Sequence, residues 1–322
     1  MKMPPSNTEI RKWLKRENPL GFFRKPFMLK DIDPKPWSGH FNYLVTVSNK
    51  KLVLRFKGPE WGETKGTDDE YEILRYVGKY GVGPKVYYRG KNFFGESVLL
   101  EEYLPGKLLT ALPVAKLTRL LPPVARLIAK INQIPTTNKN LFHRHQLSYA
   151  PNKKTWRKRI ARILQDKRTK EIGLRIKKLL PKAEIMLDSF EPRLKRVLRK
   201  RGRVFIFESA HLGHCLMTPR GLRFINWEKV SDGDPSYTLA VFLASFAGRA
   251  DFEEIKAVAV RQYLKRNQIP EFAELVRQRL AEREVSNLVW VVWAYTQQSE
   301  RGKPLRYTNI NRRFSIVEKL IR

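Results

Sequence analysis

Apolar and polar positions alternate along Lys51-Leu52-Val53-Leu54-Arg55-Phe56, the period of two that a half-buried strand requires. Residues 37–57 therefore predict two strands, with a turn at Ser48-Asn49-Lys50. Val86-Tyr87-Tyr88 and the run Ser97 to Glu102 predict a further hairpin. Elsewhere the period lengthens to that of a helix. Ile10, Trp13 and Leu14 share one face over 8–16, and Ile73, Leu74 and Val77 share one over 68–79. The spacing of Leu117, Leu120, Leu121, Val124, Leu127, Ile128 and Ile131 predicts a helix over 117–133. A buried strand is expected at Val204 to Phe207, then a loop from Glu208 to His214 and a hairpin turning at Thr218-Pro219-Arg220-Gly221. Its second strand is Leu222 to Ile225, and an apolar helix starts after Asp234-Pro235. Helix is expected from there to the end, with a long apolar face over 271–298 in which Trp290 and Trp293 read as core aromatics.

Charge changes this picture of an ordinary mixed domain. Among 322 residues, 64 Lys and Arg face 31 Asp and Glu, a formal net charge of +33. Such self-repulsion opposes compaction, so an anionic partner is the natural inference. The positive charge concentrates in 152–203, which predicts three helices. Lys153, Lys154, Arg157, Lys158, Arg159 and Arg162 crowd the first, and Arg193, Lys195, Arg196, Arg199, Lys200, Arg201 and Arg203 close the third. These residues are the candidate polyanion-binding set, with nucleic acid as the first partner considered. An anionic membrane surface or an acidic protein partner would satisfy the same charge, and a solvated basic face needs no partner. Residues 1–36 are basic and punctuated by proline, an extension that is either a partner-binding arm or packed on the first domain.

Several classes are set aside. The single cysteine, Cys215, permits no intramolecular disulfide. The N-terminus has no apolar core of a signal peptide, and no run approaches the about 18–20 apolar residues of a membrane span. A cytoplasmic protein is expected. His211, His214 and Cys215 lack the second ligand pair of a zinc site, and no metal site is expected. Cys215 reads as a packing residue. The phosphate-cradling motifs G-x-x-x-x-G-K-[ST] and G-x-G-x-x-G are absent.

The stretch 204–244 carries a more specific signal. Asn226-Trp227-Glu228, Gly233-Asp234-Pro235, Tyr237 and Leu239-Ala240 resemble the catalytic segment of the aminoglycoside phosphotransferase and choline kinase-like family. That segment reads H-G-D-x-x-x-x-N, then I-D-W-E, then G-D-P-x-Y-D-L-A. The resemblance implies an α+β, protein-kinase-like two-lobed fold, with a small N-lobe on an antiparallel sheet and a larger, mostly helical C-lobe. It places the N-lobe and hinge at 37–106, the hinge itself at 101–106, and the C-lobe at 107–322. It also implies a nucleotide pocket at Gly39, Asn42, Arg55, Glu70, Glu101 and Tyr103, in which Glu70 pairs with Arg55 and the hinge backbone takes an adenine.

On this alignment the chemistry is degenerate. Glu208 stands for the loop His, Ala210 for the catalytic Asp, Cys215 for the metal-binding Asn and Asn226 for the metal-binding Asp. A methyl group cannot orient a substrate hydroxyl. An amide and a thiol are poor ligands for Mg²⁺. The expectation is a pseudokinase-type binding module without Mg²⁺, in which ATP binding stays open. The alternatives are a small-molecule or lipid-headgroup phosphotransferase with rearranged catalytic groups, and a scaffold for acidic protein partners.

Overall fold

The computed structural model describes residues 5–32, 40–57, 67–92, 95, 97–137, 141, 143–144, 149–297 and 307–321. Gly39 and the first residues of the predicted hairpin, 37 and 38, lie outside them. Along the chain run α1 (Asn7–Glu17), β1 (Phe27–Asp31), β2 (His40–Val47), β3 (Lys50–Lys57), α2 (Thr67–Gly78), β4 (Val86–Lys91), β5 (Ser97–Glu102) and β6 (Lys107–Leu108). Then follow α3 (Val114–Asn132), β7 (His143–Arg144), α4 (Ala150–Gln165), α5 (Lys170–Arg201), β8 (Val204–Phe207), β9 (Cys215–Thr218), β10 (Gly221–Phe224) and β11 (Val230–Gly233). The helices α6 (Tyr237–Ala244), α7 (Phe252–Leu264), α8 (Phe272–Gln297) and α9 (Tyr307–Leu320) complete it. None of the described helices is long and apolar enough to cross a membrane.

The first compact unit comprises Met1–Leu112, Asn138–Leu141 and Gly213–Val230. Its centre is a five-stranded antiparallel sheet in the order β1-β2-β3-β5-β4. Ser48 and Asn49 both adopt positive φ, 44° and 64°, giving the two-residue turn whose twist suits a hairpin. The predicted extension is part of this unit. A reciprocal Ser6–Glu9 capping box starts α1, and Ile10, Trp13 and Leu14 join Tyr43, Val45, Leu54 and Phe56 in one apolar cluster. Trp13 meets Phe56 edge-on at 6.1 Å and donates its indole N–H to Lys91 O at 2.9 Å. Phe27 to Asp31 supplies β1, an edge strand that the proline-rich reading of 1–36 did not reveal. The β9–β10 hairpin belongs here too, because β6 pairs with β9. An added Cβ on Gly106 would sit 2.4 Å from Met217 O, so only glycine permits this approach. The boundary expected at residue 106 therefore falls at Leu112, and 213–230 leaves the second unit for the first.

The second unit holds Pro113–Thr137, Phe142–Leu212 and Ser231–Arg322. Where three helices were expected over 152–203 there are two, α4 and the 32-residue α5, which runs through Pro181 and Pro192. Each proline removes one N–H, yet the apolar face continues unbroken through Ile176, Ala183, Met186, Leu187, Phe190 and Leu194, and that burial outweighs the lost bonds. Arg279 of α8 is buried among the rings of Tyr149, Phe190 and Tyr237, at 4.8–5.2 Å. It pairs with Asp234 Oδ2 at 2.7 Å and Glu282 Oε2 at 3.2 Å. Asp234 Oδ1 accepts from the backbone N–H and hydroxyl of Ser236. The Gly-Asp-Pro turn is thus an ion-paired anchor as well as a lead-in to α6. Trp290 is exposed and Trp293 half-buried, so neither is the core aromatic expected. Arg159 lies over the Trp293 ring at 4.8 Å instead.

If α1 is integral, Trp13→Ala should destabilise the fold by about 3–5 kcal/mol. Urea unfolding followed by circular dichroism checks this; a loss below about 1 kcal/mol would make α1 a peripheral arm.

Candidate functional site

β3 carries Arg55 into the first unit with only 6% of its side chain exposed. Its Nη1 lies 3.0 Å from Glu70 Oε1 on α2 and 3.6 Å from Glu101 Oε1 on β5. Its Nη2 donates to Asn226 Oδ1 at 2.9 Å and reaches His40 Nδ1 at 3.1 Å. Glu70 Oε1 also accepts the backbone N–H of Trp227 at 3.0 Å. The Arg55–Glu70 pair inferred from resemblance is therefore present, and it ties α2 and the segment after β10 to the sheet. Glu101 is a second buried carboxylate on the same cation.

The electrostatics follow from burial. Burial opposes the charge of Arg55, but Glu70, Glu101 and Glu228 outweigh it and hold its pKa up. Burial pushes Glu70 up to about 7, with Arg55 opposing and Glu101 and Glu228 adding to the rise. Burial drives His40 down to about 2, helped by the Arg55 charge, so its imidazole is neutral. Since Nδ1 faces an Arg55 donor, Nδ1 accepts and Nε2 carries the proton. That Nε2 lies 3.8 Å from Glu228 Oε2.

Arg55 and Asn226 border a cavity of about 770 Å³ that Asn42, Glu101, Tyr103, His40, His214 and Glu228 also line. Val53, Leu216 and Ile225 supply its apolar walls. Asn42, Arg55, Glu101 and Tyr103 of the predicted pocket thus converge. His40, His214 and Glu228 were missed, although Glu228 stands inside the quoted Asn-Trp-Glu. Asn226 occupies left-handed backbone, φ 63°, which asparagine tolerates well. Its Nδ2 lies 3.3 Å from Glu228 Oε1 and 3.5 Å from His214 Nε2.

The motif alignment over the loop is corrected by one residue. Cys215 opens β9 with its side chain fully buried, and burial lifts its thiol to about 12. His214 lines the cavity instead. His214 ends the short 3-10 turn Leu212–His214 just before β9, so the cavity receives the last turn residue and the core receives the first strand residue. The same shift puts Ser209 at the catalytic Asp position in place of Ala210, which is fully buried. It puts Phe207 at the loop His position in place of Glu208. Neither alignment supplies an aspartate.

These residues do not fit a Mg²⁺–nucleotide. The amide oxygen of Asn226 is already engaged by Arg55, and it lacks the charge of the carboxylate with which the family pattern holds Mg²⁺. Among the described residues no group of three His, Cys, Asp or Glu is placed to hold a metal.

The predicted polyanion set divides in two. Lys153 pairs with Asp188, and Arg157 is bidentate to Glu184 at 2.6 and 2.8 Å. Arg193 reaches Glu271, Glu274 and Gln278, and Arg196 shares Glu271. Lys195 pairs with Glu191, Arg203 with Asp232, and Arg201 donates to Gln268 O. With Arg159 on Trp293, these cations hold the unit's own helices together. Lys154, Lys158, Arg162, Arg199 and Lys200 are exposed with no ion pair among the described residues. Lys177, Lys178 and Lys182 of α5, outside the predicted set, are equally free and exposed.

A carboxyl whose folded pKa is raised binds its proton more tightly in the folded chain, so its contribution is complete below the unfolded value and disappears as pH rises through the folded one. For Glu70 that window runs from 4.5 to about 7. Urea stability should therefore fall from pH 5 to pH 8, and Glu70→Gln should flatten the slope across that window. An unchanged slope in the variant would remove Glu70 as its source.

Comparison with known proteins agrees with this geometry. Residues 34–298 match the phosphotransferase enzyme family. No curated protein sequence matches the chain. Among solved structures, the choline kinase of Cryptosporidium parvum Iowa II is similar with a TM-score of 0.66 at 15% identity, over 98% of this chain and 96% of that one. The choline kinase LicA of Streptococcus pneumoniae gives 0.60 at 16%, over 97% and 98%. Spectinomycin phosphotransferase APH(9)-Ia, in complex with ADP and spectinomycin, gives 0.61 at 12%, over 98% and 95%. The α+β, kinase-like fold is common to all of them, and with the family match spanning 34–298 the chain belongs to the phosphotransferase enzyme family.

Proposed function

We propose that this chain has lost phosphoryl transfer and acts as a binding protein for nucleic acid through the free cations of α4 and α5. The observation that carries the binding is the stripe Lys154, Lys158 and Arg162 on α4. These residues recur every fourth position, about 6 Å apart along the axis, all exposed and none ion-paired. An unpaired cation releases counterions from a phosphate backbone, which one already neutralised by a neighbouring carboxylate does not. The reading therefore narrows to these three with Lys177, Lys178, Lys182, Arg199 and Lys200. The reading of lost catalysis is supported by Asn226 and His214 at metal-ligand positions and by the Asn226 amide oxygen, which Arg55 already engages.

Binding to a generic RNA duplex across a potassium chloride series tests the first part. The log–log slope should imply several released counterions, and Lys154→Glu/Lys158→Glu/Arg162→Glu should lower its magnitude by about 3. A slope near zero, or one unchanged in the triple variant, would overturn it. The second part predicts no ADP formation above the protein-free rate with Mg²⁺, ATP and either choline or spectinomycin. Turnover near the ~1–100 s⁻¹ of ordinary kinases would refute it.

One observation favours a second reading, docking on an anionic bilayer. Leu174 and Ile185 on α5 are 46% and 68% exposed, and Lys177, Lys178 and Lys182 stand beside them. Apolar side chains flanked by lysines suit an anionic lipid interface. Sedimentation with phosphatidylserine vesicles decides this. Leu174→Ser/Ile185→Ser should weaken vesicle binding and leave RNA binding unchanged; no effect on vesicles would discard the membrane reading.

A further inference from the structure

The cavity beside Arg55 is lined by the acidic side chains of Glu101 and Glu228 against one guanidinium, and His40, neutral, adds nothing to the cation. The carboxylates are not fully engaged. Glu101 Oε2 and Glu228 Oε2 are buried and accept no hydrogen bond from the protein. Glu101 is only 5% exposed and lines the cavity. The His40 Nε2–H, 3.8 Å from Glu228 Oε2, is too distant to satisfy it. Buried acceptors without donors are uncommon and costly. Here they border a ligand-sized space with apolar walls at Val53, Leu216 and Ile225.

From this juxtaposition we infer that the cavity takes an organic cation, an amidinium or protonated amine on a flat apolar body. The cationic N–H groups donate to the free oxygens of Glu101 and Glu228, and the flat body lies against Val53, Leu216 and Ile225. A triphosphate fits poorly here. Its negative charge would meet Glu101 and Glu228, and both Nη atoms of Arg55 are engaged by Glu70, Glu101, His40 and Asn226, which leaves only its Nε without a partner. The inference rests on the reading that the cavity no longer holds a metal-bound nucleotide. It adds a chemical class of ligand that this reading does not supply.

Benzamidine, benzamide and benzoate test it, because they share one flat shape and differ in charge. Titration calorimetry on the intact chain should rank them in that order, with benzoate showing no binding. Glu228→Gln and Glu101→Gln should each weaken benzamidine by about tenfold or more, the loss of one charge-assisted hydrogen bond. Glu228 is the variant to rely on if Glu101→Gln fails to fold, and the ranking on the unaltered chain needs neither. No benzamidine binding, equal affinity for the three, or preference for benzoate overturns the inference. Mg²⁺–ATP run in competition separates the two failures. If Mg²⁺–ATP titrated alone binds, or displaces bound benzamidine at equal or lower concentration, the loss of nucleotide binding is itself wrong; if it does neither and the ranking fails, only the cation is wrong.

Discussion

A guanidinium removed from water must be neutralised where it sits, because desolvating it alone costs several kcal/mol. Arg55 meets that constraint with groups from four separate segments: Glu70 on α2, Glu101 on β5, His40 on β2 and Asn226 after β10. Glu70 and Glu101 compensate its charge, and withdrawing His40 or Asn226 would leave its Nη2 short of a partner. The first unit is organised accordingly. The sheet presents Arg55, α2 supplies the counter-charge, and Glu70 also receives the Trp227 N–H, holding the β9–β10 hairpin to the same point. A cation that joins an N-terminal strand to residues about 170 positions later is a folding device whatever chemistry it serves.

The same accounting applies to the net charge of +33. Density along the sequence is a poor guide to availability on the surface. Arg193, Arg196 and Arg203 lie in the densest basic run, yet each faces a carboxylate from elsewhere in the second unit. Exposed pairs of this kind contribute ~0–1 kcal/mol each, and their larger effect is to remove those side chains from any partner. The cations left over are fewer and lie on the solvent faces of α4 and α5, where spacing rather than density identifies them.

The periodic elements were legible because their signal is local. Alternation fixed β3, and Ile10, Trp13 and Leu14 fixed α1, since both patterns state which side is buried. What the sequence hid was non-local. Phe27 to Asp31 has no alternation of its own and becomes a strand by pairing with β2. Pro181 reads as a helix boundary until the apolar face on both sides of it is packed. Cys215 and His214 differ by one position, a distinction that motif spacing blurs and burial decides, since Cys215 is core and His214 lines the cavity. His40 is recognisable only once Arg55 stands beside it.

These contacts also explain why the family's landmark residues persist at the positions that hold the fold. Trp227 is buried, with its indole N–H on Phe224 O and its backbone N–H on Glu70. Asp234 is buried, holding Ser236 and Arg279. Leu239 and Ala240 are core. Each of these landmark positions carries packing or charge compensation that the fold needs. The positions that differ from the family pattern, 209 or 210, 214 or 215, and 226, are those whose family residues serve substrate and metal. Replacing Asp by Asn at 226 preserves an acceptor for Arg55 and removes a charge from a cavity already holding Glu101 and Glu228. An asparagine at 226 is therefore compatible with the packing around Arg55, and the fold does not depend on a carboxylate there.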